Sequence, residues 1–175
     1  MRVLGYDARV PRTLLANEWD AARRQQFLLR PDAAVPLSVD TMVWPSLIIR
    51  GGSLPEVVEP NYETSLAARP EEVRAAVRGR KAEIVAITEG DDPLPGEEWV
   101  LLGWDIADGY TLSGISNCGV SPEEWRPIRQ RWASEVNDNN LFSDYGAADE
   151  CRNDIDQLVP EHAPFAVYGL WVWEP

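Results

Sequence analysis

Histidine is almost missing from this chain: His162 is the sole imidazole in 175 residues. The usual proton shuttle and metal ligand is therefore scarce. Cysteine is nearly as rare, with Cys118 and Cys151 alone. Two thiols and one imidazole cannot complete a four-ligand structural zinc site without carboxylates, and nothing in their spacing demands a disulfide. Lysine occurs once, at Lys81, and every other basic residue is arginine. No apolar run approaches the ~20 residues that span a bilayer. The opening "MRVLGYDARV" carries Arg2, Asp7 and Arg9 where a signal peptide would be apolar, so a cytoplasmic chain without membrane contact is expected. The Arg, Ala and Pro bias points to a GC-rich bacterial source.

Motifs of common enzyme chemistry are missing too. There is no GxGxxG, GxSxG, HExxH or CxxC, and "RGGSLPE" lacks the Lys-Ser/Thr of a phosphate loop. "DNNLFSDYGAAD" invites comparison with a calcium loop. From Asp138, the third position, Asn140, fits. The fifth is Phe142, the sixth Ser143 and the twelfth Asp149, where an oxygen ligand, glycine and glutamate belong. No metal and no cofactor is expected.

What is abundant is negative charge. The formal net charge is −13, and it is unevenly spread. Residues 1–90 hold twelve acidic and twelve basic side chains; residues 91–175 hold seventeen acidic ones against four arginines. Such a half repels nucleic-acid phosphates and anionic lipid and attracts cationic partners. With 45% hydrophobic residues and eight tryptophans, the chain can also build a substantial core.

Local patterns place the elements. "NEWDAARRQQFLL" predicts a helix capped by Asn17, with Trp19, Ala22, Gln26 and Leu29 on one side. "TMVWPSLIIR" is rich in β-formers, but Pro45 makes it an edge or bulged strand. "RPEEVRAAVRGR" reads as a short helix opened by Pro70. "KAEIVAITE" is apolar on both faces, as a central strand is. In "EWVLLGWDIAD", Val100, Leu102, Trp104 and Ile106 should face the core, and Asp105 should point away from it. Asp108-Gly109 then suits a two-residue hairpin turn, with "YTLSGIS" returning.

Two helices follow. "SPEEWRPIRQRWASEVN" has Ser121 and Glu124 as a capping box and a stripe of Trp125, Ile128, Trp132 and Val136, with a kink expected at Pro127. "GAADECRNDIDQLV" buries Ala148, Cys151, Ile155 and Leu158, leaving its outer surface acidic. The aromatic tail "PFAVYGLWVW" should be a paired strand, because left free it would be a large apolar patch. The order of elements predicts a single α+β domain, with a mainly antiparallel sheet and helices packed on one face. A subdomain boundary could fall near 90–97, where Pro and Gly cluster.

Two classes of function remain. One is a protein-binding module, above all an immunity-type inhibitor that neutralises a cationic toxin or effector domain, or else an adaptor or assembly subunit. Its partner-binding residues would be Asp138, Asp144, Asp149, Glu150, Asp154 and Asp156. The other is a small hydrolase or transferase. Cys118, before a helix start, would be its nucleophile, with His162 as base and Asp105 as orienter. Asp105 and Asp108 could instead form a carboxylate pair, about 10 Å apart on an extended strand. Each of these residues also has a plain structural role: Asp108 in the turn, Cys118 as a small apolar plug and His162 in a loop. On this count no catalytic residue is assigned.

Overall fold

The computed structural model describes residues 2–17, 20, 23–24, 29–50, 66–94, 96–109, 112–116 and 120–175. In chain order its elements are β1 (Arg2–Arg9), α1 (Arg12–Leu15), α2 (Leu47–Arg50), α3 (Pro70–Ala76), β2 (Glu83–Glu89), β3 (Trp99–Asp108), β4 (Leu112–Ser113), α4 (Pro122–Trp132), α5 (Tyr145–Leu158) and β5 (Ala166–Trp173). The strands form one sheet in the order β1-β2-β5-β3-β4, and every pairing is antiparallel. The fold is α+β. Strands β2 and β3, on either side of residues 90–97, both pair with β5 and belong to this same sheet. Among the described residues no helix is long and apolar enough to cross a membrane.

The longer helices share one face. Trp125, Ile128 and Trp132 of α4, with Ala148, Cys151 and Ile155 of α5, pack on Ala86, Trp104, Ile106 and Trp171 of the sheet. Val73 and Val77 join Ala8 and Ile84 beside them. The predicted capping box is present: Ser121 accepts from the Glu124 amide, and the Glu124 carboxylate accepts from the Ser121 amide. Helix α4 continues through Pro127 but stops at Trp132, so Val136 leaves the helix and bridges Phe142. The Cys151 thiol is fully buried, and burial pushes its pKa up.

The opposite face carries a second core, in which Val85, Ile87, Leu102, Leu170 and Val172 meet Leu15, Leu37, Val39 and Trp44. Its cover, residues 29–46, has no regular secondary structure beyond one bridge at Ser46, and we call it the strap. The edge strand expected over "TMVWPSLIIR" does not form. Pro45 has no N–H to donate, and Asp40 nucleates a turn instead: its carboxylate accepts from the Met42 amide, and its carbonyl from Val43 and Trp44. In the predicted first helix, Trp19, Ala22 and Gln26 lie outside the described residues. Among the described residues, the Arg23 amide donates to the Asp20 carboxylate, 2.7 Å away.

Strand β3 departs from its predicted alternation. A bulge lies between Leu101 and Gly103, where the register to β5 skips Leu102. A one-residue slip exchanges the faces of a strand. Trp104 and Ile106 therefore stay on the helix side, Leu102 enters the strap side, and Val100 is left 42% exposed. Gly103 has φ +141, and a Cβ there would sit 2.7 Å from both Leu141 Cβ and the Phe142 oxygen. The 136–142 segment thus crosses directly over the bulge. Asn137 donates its amide to the Leu102 carbonyl at 2.7 Å, and Phe142 exchanges two backbone hydrogen bonds with Trp104. This pairing covers part of one sheet edge. Backbone bonds between Tyr6 and Ala67 cover part of the other.

Trp104 is 4% exposed and sits edge-on to Tyr145 and Trp171, with ring centroids 5.2 and 6.4 Å away. Trp104→Ala should cost about 3–5 kcal/mol in urea unfolding. Val100→Ala, on the same strand but exposed, should change stability by under ~0.5 kcal/mol. Equal losses at the two positions would contradict the bulged alternation.

Candidate functional site

Two groups of carboxylates are candidates, one internal and one on the surface. The internal group centres on Asp105. Alternation with Trp104 and Ile106 points this side chain away from the helix-side core, as read from the sequence, but the strap covers that face and the carboxylate is fully buried instead of facing water. Oδ2 accepts from the Ser38 hydroxyl at 2.5 Å and the Val39 amide at 2.9 Å. Oδ1 accepts from the Ile106 amide and the Ser113 hydroxyl, both at 2.8 Å. Burial raises the carboxyl pKa to about 6, against the pull of these four donors. Asp40 lies nearby at 4% exposure; its pKa is also raised, first by burial. Its amide donates to Ser38 Oγ, linking the two acids through one hydroxyl.

A buried ion pair adjoins this group. Asp7 Oδ2 lies 2.6 Å from Arg9 Nε. The guanidinium also donates to the Trp44 and Val39 carbonyls, and the other Asp7 oxygen accepts from Ser46 and the Ala8 amide. Removing either partner would leave the other as an unpaired buried group, at severe cost.

His162 meets Asp108 rather than Asp105: Nδ1 is 3.0 Å from Asp108 Oδ2. The other Asp108 oxygen accepts from the Leu112 amide, closing the turn. Asp108 pairs with Leu112, so the loop spans three residues instead of the expected two. The Asp105–His162 half of the imagined triad is therefore not assembled, and Cys118 lies outside the described residues. An aspartate fixing an imidazole is nonetheless the geometry that selects one His tautomer. This contact has no signature along the chain, because 54 residues separate the partners.

The surface group lies on α5 and the loop before it. Asp144 caps the helix by accepting from the Ala147 amide at 2.9 Å. Asp138 is 77% exposed, with Arg30 Nη2 at 3.3 Å. On the helix, Arg152 bridges Asp149 at 2.9 Å and Asp156 at 3.2 Å. Asp156 also accepts from the Phe165 amide, and Asp154 from the Trp132 indole at 2.7 Å and Arg131 at 3.0 Å. Glu150 is exposed. The six predicted residues thus occupy one helix and its approach but differ in kind: Asp154 and Asp156 also hold internal contacts. Between α4 and α5 runs an open groove of about 390 Å³, lined by Pro127, Ile128 and Leu158 with Glu124, Arg131 and Asp154 among the polar groups.

Replacing Asp154 or Asp156 by Asn should destabilise by about 1 kcal/mol each, because hydrogen bonds to an anion become neutral ones and an arginine loses its partner. Glu150→Gln should leave stability within ~0.5 kcal/mol. Denaturant midpoints of the three variants check this; identical midpoints would remove the distinction between structural and free acids.

No known protein family, curated protein or solved structure matches the chain.

Proposed function

We propose that the chain is an acidic protein-binding module of the immunity type, which neutralises a cationic toxin or effector domain by seating on it. The observation that carries this reading is where the charge lies. Of the seventeen acidic side chains in residues 91–175, twelve are exposed, against two of its four arginines. Like charges at close range cost stability, and attraction of a basic surface is the simplest return for keeping them. An acidic inhibitor can mimic a polyanionic substrate and be drawn onto its target at rates that fall with salt. Asp138, Asp144, Asp149, Glu150, Asp154 and Asp156 form the proposed face. The α4–α5 groove beside Asp154 suits a lysine or arginine, whose stem is apolar and whose end is cationic. A cytoplasmic location fits a protector of the producing cell.

A hydrolase using His162 is the second reading, favoured by the Asp108–His162 contact alone.

The test is capture of partners from a lysate of the source organism by the wild type and by a D138N/D144N/E150Q variant. These three replacements spare the structural acids, and Asn caps a helix as well as Asp. The wild type should retain a basic protein at low salt and release it as salt rises, and the variant should retain less. Equal capture by both, or no basic protein, would contradict the proposal. Turnover lost in His162→Ala with the fold intact would favour the hydrolase.

A further inference from the structure

We propose that the strap is a pH-responsive latch, held more firmly on the sheet when Asp105 is protonated than when it is ionised. The geometry has three parts. First, Asp105 ties the strap to β3 and β4 through one carboxyl group, since its four donors come from Ser38 and Val39, from Ile106, and from Ser113. Second, each oxygen has one fixed donor and one reversible one. The Val39 and Ile106 amides can only donate, whereas the Ser38 and Ser113 hydroxyls can donate or accept. A proton on either oxygen can point at a serine without losing an amide bond. The site therefore accommodates both charge states.

Third, among the described residues the groups that touch the Asp105 carboxylate are all neutral. The charged and titratable groups around it come from every neighbouring element. From the strap there is Asp40, which is itself buried. Tyr168 of β5 is paired opposite Asp105. From β1 come Asp7 and Arg9, with Arg9 committed to Asp7 and to the Trp44 and Val39 carbonyls. At the end of β3 lies Asp108, with His162. The ionised carboxylate is thus a buried charge held by dipoles alone, beside a second buried acid.

The sign follows by linkage. Asp105 has its carboxyl pKa raised to about 6 when the strap is closed. An open strap admits water and returns the group to the ordinary carboxylate range. The closed form then binds more protons, and its advantage is full below that ordinary range. It is lost as pH rises through about 6. At neutral pH the latch carries the cost of the charge; in mild acid it does not.

The experiment follows exchange of the Val39 amide by NMR at pH 4.5 and 7.5, corrected for the intrinsic rate at each pH. Protection in the wild type should be greater at pH 4.5 by on the order of tenfold. Asp105→Asn should abolish that difference while leaving His162 and Asp40 in place. Should Asp105→Asn fail to fold, Ser113→Ala provides the second reading. It removes a donor that favours the ionised form, so it should move the midpoint of the protection profile to higher pH. Equal wild-type protection at the two pH values, an undiminished difference in Asp105→Asn, or an unmoved midpoint in Ser113→Ala would overturn the latch.

Discussion

A carboxylate buried among neutral donors is the constraint on which the strap side of this protein depends. Asp105 is fully buried, and its carboxylate accepts from two amides and two hydroxyls. Removing any of them strands a buried polar group, at a cost of about 1–3 kcal/mol. Two of those donors come from the strap and two from the paired strands β3 and β4. The strap has no ladder of its own, so polar anchors fix its path: Asp105 beneath Ser38 and Val39, and Arg9 beneath Val39 and Trp44. Only with that path fixed do Leu37, Val39 and Trp44 cover Val85, Ile87 and Leu170. The apolar burial supplies most of the driving force, and the polar anchors select one arrangement for it.

The same constraint bears on function. Buried acids invite catalytic readings, because active sites perturb carboxyl pKa values by burial. Here both oxygens of Asp105 are occupied by donors that tie the strap to the sheet, and the imidazole meets Asp108 instead. The surface acids are different. Asp138, Asp144 and Glu150 stand in water on α5 and the loop before it, in the half of the chain that carries the net charge. A binding role draws on these groups, whereas a hydrolytic role draws on Asp108 and His162.

Most of the helix face was legible in the sequence. Ser121 and Glu124 announced their capping box, the spacing of Trp125, Ile128 and Trp132 gave a buried stripe, and "KAEIVAITE" read as the two-sided strand it is. Periodicity is a local signal, and each of these features is local. The strap was not legible, because irregular backbone has no period, and Asp40 and Pro45 make a turn where β-formers suggested a strand. The bulge at Leu101–Gly103 hid in an unbroken alternation, and the burial of Asp105 hid with the strap that covers it. At the candidate site, the Arg152 pairs with Asp149 and Asp156 follow from helical spacing. Contacts between elements, such as Asp154 with Trp132 and Asp108 with His162, have no signature along the chain.

The central claim is that Asp105 is a buried, cation-free anchor of the strap. The most direct measurement is a carbon-13 NMR titration of its carboxyl carbon in the folded protein. A buried anchor titrates with a midpoint of about 6. A midpoint near ~4, the ordinary range for an aspartate in water, would mean that Asp105 is solvated and that the strap is not held as described.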